Sequence, residues 1–265
     1  MEQLTEFDGE YYTLRLKKQV AIIQLTKDIF EIGTNLALKD SFFSLFDTVA
    51  GSTDIRAILL TNSPGVLSDK EYRSFIKNAV ETRSGETKKT TSTPWLQIGQ
   101  LSERQENTLS QFILKAVSLP KALIFGLQGD IATPFFGASL TGDYRFVSED
   151  MAYSPSHVRL GIPPSGALGF FLPRFIGQGR ATDILLSEQS ITAIDAQQMG
   201  LVSNIFPADK FVDSCVDATC RMSEISLNTI KNTKATLYYY AKELEIYLER
   251  EYEIMWRALT HLEAD

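Results

Sequence analysis

The chain has 265 residues, 44% of them hydrophobic and 22% charged, which is too apolar for a disordered polymer and long enough to bury a core without disulfides or structural metals. Acidic residues outnumber basic ones 33 to 26, and the resulting net charge of −7 argues against a broad nucleic-acid-binding face. Two cysteines, Cys215 and Cys220, and two histidines, His157 and His261, match no common zinc motif or secreted disulfide framework, so no metal is expected.

Glu2, Glu6 and Asp8 give the opening residues the wrong charge for a signal peptide. The longest uncharged run, Leu160 to Pro173, carries three prolines and three glycines and does not fit a membrane helix. The expectation is a cytoplasmic protein without membrane partners. Tyr12, Leu14 and Leu16 alternate along one face of a strand, and Val20–Leu25 is a compact β-branched run, so the two read as a strand pair. Leu36 to Val49 has helical spacing, and Ala57–Leu60 reads as a buried strand ending in the turn-rich Thr61–Gly65. Lys70–Val80 and Glu103–Leu119 read as helices flanking Arg83–Pro94, which has no large apolar residue and reads as a mobile loop. A second unit follows with a strand at Ala122–Gln128, a short helix near Gly137–Thr141 and a strand at Tyr144–Ser148. Helices are expected at Arg180–Ser187 and Ala193–Met199, then a strand at Leu201–Phe206. From Ala208 onward the pattern is helical, with Leu244, Leu248, Met255 and Leu259 among its apolar positions. The fold class is α/β, built of repeated β-β-α turns with a helical tail.

Several short patterns lie in a fixed order between Lys121 and Pro207. They are Pro120–Ile124, Gln128-Gly129, Asp143–Asp150, Arg159–Ile162, Leu172–Gly177, Ile191–Ala193 and Met199–Val202, followed by Ile205-Phe206-Pro207. In this order and spacing the segment resembles the crotonase, or enoyl-CoA hydratase/isomerase, superfamily. The resemblance implies a spiral of ββα turns over residues 1–207 and a C-terminal helical trimerisation region over 208–265. It also implies homotrimers or hexamers and an acyl-CoA or acyl-carrier thioester as substrate or ligand, with no other cofactor. In that family two backbone N–H groups hold the thioester oxygen and one or two carboxylates move protons. A pre-aimed donor of this kind is typically worth about 3–4 kcal/mol to the transition state.

The chemical positions are where this sequence departs. The triplet that opens the oxyanion helix is Thr133-Pro134-Phe135, and Pro134 has no N–H to donate. A shift of one residue presents the N–H of Phe135 instead. The other oxyanion loop reads Gly65-Val66-Leu67-Ser68-Asp69, which leaves Ser68 or Asp69 as candidate donors. One carboxylate position falls on Gly137. The other falls on His157, where two readings stand together: an acid–base group that titrates near neutrality, or a hydrogen-bonded structural histidine. Ser165 reads as a loop residue and Asp130 as a capping or surface acid. Lys231 and Lys234 fall where the family offers cations to the CoA phosphates, although such lysines are often only solvated. The sequence leaves open whether the protein is an enzyme. The readings are a hydratase or isomerase of acyl-CoA with ordinary two-glutamate chemistry in doubt, a non-catalytic thioester-binding or assembly partner, and a polyketide-associated member acting on carrier-protein thioesters.

Overall fold

A computed structural model describes residues 4–81 and 94–261. The chain opens with β1 (Phe7–Asp8), β2 (Tyr12–Lys17), β3 (Val20–Leu25), α1 (Ile29–Thr34) and α2 (Leu36–Gly51). It continues through β4 (Ala57–Asn62), α3 (Asp69–Glu81), α4 (Pro94–Ser118), β5 (Ala122–Leu127), β6 (Asp130–Ala132) and α5 (Thr133–Ser139). Next come β7 (Tyr144–Ser148), β8 (Ala152–Ser154), α6 (Ser156–Leu160), α7 (Leu168–Ile176), α8 (Gln178–Leu185), β9 (Ile191–Thr192) and α9 (Ala193–Gln198). The last elements are β10 (Asn204–Phe206), α10 (Phe211–Met222), α11 (Leu227–Leu237) and α12 (Ala241–His261). One sheet runs in the order β1-β2-β3-β4-β5-β7-β10, antiparallel through its first three strands and parallel after them. A second, smaller sheet pairs β6, β8 and β9.

Both faces of the large sheet are covered, so its central strands are buried runs without a polar face. On β4, Ile58 and Leu60 point into the main core with Phe46, Ile113 and Leu123, while Ala57 and Leu59 point the other way. The second face is sealed by α10, whose Phe211, Cys215 and Val216 pack against Val20, Leu59, Ile124 and Phe146. Both cysteines are buried and free, and burial pushes the Cys215 thiol up to about 12. They act as small core residues, and the first helix after Ala208 is part of the packing that flattens onto the sheet. Among the described residues no helix is long and apolar enough to cross a membrane.

The longer elements match the periodicity. The differences lie in short pieces. The helix expected near Gly137–Thr141 starts four residues earlier, at Thr133, because Pro134 suits a first helical turn. The strand expected over Leu201–Phe206 contracts to Asn204–Phe206, since Leu201 instead closes α9 with its N–H on Ala196. Strands β6, β8 and β9 are too short to show alternation, and α7 arises inside the glycine- and proline-rich run. Of the Arg83–Pro94 loop, residues 83–93 lie outside the described residues and Pro94 opens α4.

Buried polar side chains pin this frame. Asp143, at the start of β7, accepts from Lys234 Nζ at 2.7 Å, from the Tyr238 hydroxyl at 3.0 Å and from the Leu123 N–H at 2.7 Å. Lys234 and Asp143 are 6% and 14% exposed, so the pair is desolvated and each charge depends on the other. Burial lowers the Lys234 pKa, and Asp143 opposes that shift. Replacing Asp143 by Ala strands a buried ammonium and should cost about 3–5 kcal/mol. Urea unfolding measures it, and a loss below about 1 kcal/mol, the surface-pair range, rejects the assignment.

Candidate functional site

The two predicted oxyanion segments come together where β4 and β6 end. The loop after β4 and the first turn of α5 are tied by the Ala132 N–H, which donates to the Leu67 carbonyl at 2.7 Å. The amides of that loop are already committed. Ser68 N–H donates to the Gly65 carbonyl at 3.2 Å, and Asp69 N–H donates to an Asp130 carboxylate oxygen at 2.8 Å. Asp130 thereby caps α3 from outside the helix, and it also accepts from the Ser154 hydroxyl. The Asp69 carboxylate holds Arg73 at 2.9 Å and Arg159 at 3.0 Å through one oxygen, a bracing role between α3 and α6.

Across from this loop, α5 begins with Pro134 inside its first turn, and no side chain caps it. Thr133 N–H reaches Ser156 Oγ at 3.4 Å. Phe135 lies in the first turn of α5, where an amide has no i−4 acceptor inside the helix, so its N–H is the candidate donor there.

Gly137 does more than lack a side chain. A Cβ built there would lie 2.4 Å from the Gly166 carbonyl oxygen and 2.8 Å from Leu168 N. Gly166 is bound to the same contact. Its φ is +75°, and a Cβ on it would lie 2.1 Å from the Pro134 carbonyl oxygen. The 161–167 loop therefore fills the space into which a side chain at residue 137 would project.

His157 faces away from this region. Its Nε2 lies 2.9 Å from the Leu185 carbonyl oxygen and its Nδ1 lies 2.9 Å from Thr133 Oγ1. A carbonyl only accepts, so Nε2 carries the proton and Nδ1 accepts from the threonine hydroxyl. Both ring nitrogens are occupied, and burial holds the pKa below the ordinary histidine value. Of the two sequence readings, this geometry is that of a structural histidine joining α5, α6 and α8.

An apolar cavity of about 80 Å³ lies beside the two loops, lined by Leu60, Leu67, Gln105, Phe112, Phe125 and Phe135 among others. That is several times the roughly 10–15 Å³ that one water needs, and the lining is apolar apart from Thr61, Gln105 and Thr108. Leu67 and Phe135 bring both oxyanion loops to its wall. Lys231 is exposed on α11. Lys234, three residues on, points inward to Asp143, so its ammonium is not offered to a phosphate in this arrangement.

Residues 84–262 match the enoyl-CoA hydratase/isomerase family. The chain belongs to that family. It is 29% identical over 151 residues to a probable enoyl-CoA hydratase of Mycobacterium tuberculosis, a match covering 56% of this chain and 53% of that protein. The chain thus spans about half the length of that relative. A trans-2-decenoyl-[acyl-carrier-protein] isomerase of Streptococcus mutans is 24% identical over 220 residues, covering 83% of this chain and 78% of that protein. Among solved structures, an enoyl-CoA hydratase from Bacillus halodurans superposes with a TM-score of 0.75 at 20% identity, covering 96% of this chain and 97% of that one. The crotonase fold is therefore shared nearly end to end.

Within this crotonase frame, two groups that sequence reading passed over are the buried carboxylates Glu106 of α4 and Glu251 of α12, 8% and 6% exposed. Each occupies an apolar register. Glu106 is three residues before Leu109 and seven before Ile113, and Glu251 stands between Leu248 and Met255 on the stripe that includes Leu244 and Leu259. A carboxylate inside an apolar stripe is the signal that marks them.

Two outcomes follow from the Gly137 and His157 geometry. Gly137→Ala should cost about 1–3 kcal/mol by overpacking, and Gly137→Glu more, without gain of hydratase activity. Denaturant unfolding and an enoyl-CoA hydration assay check both, and a stable, active Gly137→Glu protein rejects the contact. Because the folded pKa of His157 is depressed, its contribution is present above the unfolded value near 6.5 and is lost as pH falls through the lower folded value. His157→Gln should flatten the stability change between about pH 7 and pH 5, read from unfolding midpoints, and an unchanged slope contradicts it.

Proposed function

We propose that this crotonase-superfamily chain binds an acyl thioester through its acyl chain without performing two-glutamate hydration. The observation that carries the proposal is the pairing of a largely apolar cavity at both oxyanion loops with a carboxylate position closed by backbone. Hydration needs a positioned water and acid–base groups beside the thioester. At the family positions there is a glycine covered by Gly166 and a histidine with both nitrogens engaged. The cavity suits hydrocarbon, since burying a methylene contributes about 0.8 kcal/mol. One first-turn amide, that of Phe135, supports a weakened grip on the thioester oxygen.

Proton transfer without added water is the second reading. It is favoured by the likeness to the Streptococcus mutans isomerase, which extends over most of this chain. Double-bond migration moves a proton between carbons and needs one acid–base group where hydration uses a pair and a water.

Calorimetric titration separates these readings from a purely structural role. Decanoyl-CoA is expected to bind and free CoA to bind at least tenfold more weakly, a difference of about 1.4 kcal/mol. Purified protein should leave crotonyl-CoA and 2-decenoyl-CoA unhydrated. Equal affinity for CoA and decanoyl-CoA, or rapid hydration of either enoyl substrate, overturns the proposal.

A further inference from the structure

Four polar side chains from four parts of the chain converge inside the protein, none of them at the family's usual carboxylate positions. They are Tyr72 of α3, Glu106 of α4, Ser165 of the 161–167 loop and Glu251 of α12, exposed by 2%, 8%, 1% and 6%. Both Glu251 oxygens accept from the Ala167 N–H at 3.1 Å. The buried Ser165 Oγ is close to the Tyr72 hydroxyl, and Glu106 has no hydrogen bond or ion pair among the described residues. Tyr72 lies near Glu106, Ser165 and Glu251, and Tyr247 approaches Glu251 from one turn earlier on α12. No cation faces either carboxylate among the described residues. Buried acids are normally paired, and an unpaired one in a core is costly unless it does something.

Their position connects them with the missing carboxylate. Ser165 and Ala167 flank Gly166, whose carbonyl carbon lies 2.8 Å from where a Gly137 Cβ would stand. Through the peptide bond of Ala167, the Glu251 oxygens lie within about 7 Å of that point. The cluster lies next to the cavity without lining it. Glu106 is adjacent to Gln105 and one turn from Leu109, both cavity-lining, and Tyr72 stacks on Phe30 at 6.0 Å, which lies against Phe135 at 5.6 Å. Phe135 carries the candidate donor N–H.

We propose that Glu106 is the displaced acid–base residue of this site, with Glu251 and Tyr72 as positioning residues, acting on the carbon next to a thioester carbonyl. This rests on the binding of an acyl thioester proposed above. In the step, the Cα–H bond breaks and its electron pair moves into an enolate whose oxygen accepts from Phe135 N–H. The proton goes to a Glu106 carboxylate oxygen and returns to Cα, or to Cγ when a β,γ double bond is present. No electrons leave the substrate and no co-reactant is required.

The environment suits this duty. Burial, and then the charge of Glu251, raise Glu106 to about 8. Burial raises Glu251 to about 7, opposed by the N–H groups of Ala167 and Gly166 and by Tyr247. Burial also raises the hydroxyls of Tyr72 and Tyr247, which remain neutral donors. Carboxyl groups that titrate near neutrality are those that exchange protons with carbon acids most effectively.

The experiment is hydron exchange at Cα of decanoyl-CoA in D₂O, followed by mass spectrometry, beside calorimetric binding of the same ligand. The full chain should incorporate deuterium, with a rate that rises with pH through about 8. Glu106→Gln should slow exchange by about a hundredfold or more, with decanoyl-CoA affinity retained. Glu251→Gln removes a negative neighbour and should move the midpoint of the pH profile to lower pH. Glu106→Gln should also raise the melting temperature at alkaline pH, because the folded pKa of Glu106 lies above its unfolded one and its stabilisation is lost as pH rises. Binding without exchange in the unaltered protein, or full exchange in Glu106→Gln, overturns this proposal and leaves the binding proposal standing. Absence of binding overturns both.

Discussion

Gly137 and Gly166 allow two stretches of backbone to approach until no Cβ fits between them, and the site is shaped by that approach. Pro134 and Gly137 form one side, and the turn at Gly166, with φ of +75°, forms the other. With the turn seated, Ala167 adopts φ of 58°, which costs a non-glycine residue about 1–2 kcal/mol. Its N–H is thereby directed at Glu251, and α12 is drawn across the helices that follow β4. One contact between main chains thus removes a position for chemistry on α5 and brings a carboxylate from the far end of the chain toward the same spot.

Around this contact the scaffold and the reactive groups have followed different constraints. The parallel strands, the apolar cavity and the two loops stay in crotonase order because their packing depends on volume and periodicity. The polar groups have been reassigned to bracing. Asp130 caps α3, Asp69 holds two arginines, His157 bridges three helices and Lys234 neutralises Asp143. Each is held by neighbouring side chains or backbone, which suits rigidity more than turnover. Glu106 is the opposite case. Its burial is not balanced by a cation, and that imbalance is what makes it a chemical resource.

The frame was legible in the sequence because long strands and helices write their period into the residue order. Val20–Leu25 and Ala122–Leu127 are read from β-branched and apolar runs, and α2, α3 and α12 from their stripes. The site was legible only as a set of departures. That Pro134 has no donor is a property of the residue itself. That the Ser68 and Asp69 amides are committed depends on Gly65 and Asp130, which are set by loop geometry. The closure of residue 137 depends on a backbone 29 positions later, and no local pattern encodes it. Glu106 and Glu251 stand as acids within apolar registers, a signal that the sequence reading did not use, and their meeting requires the chain to close α12 onto α4.

The large sheet has unequal flanks. Its outer strands, β1 and β10, span two and three residues, while the strands between them run five or six. An incoming chain would find only a few main-chain groups with which to extend the ladder, so growth by strand addition is blocked at both margins. A protein with so apolar a centre is in this way kept from polymerising through its own hydrogen-bond lattice.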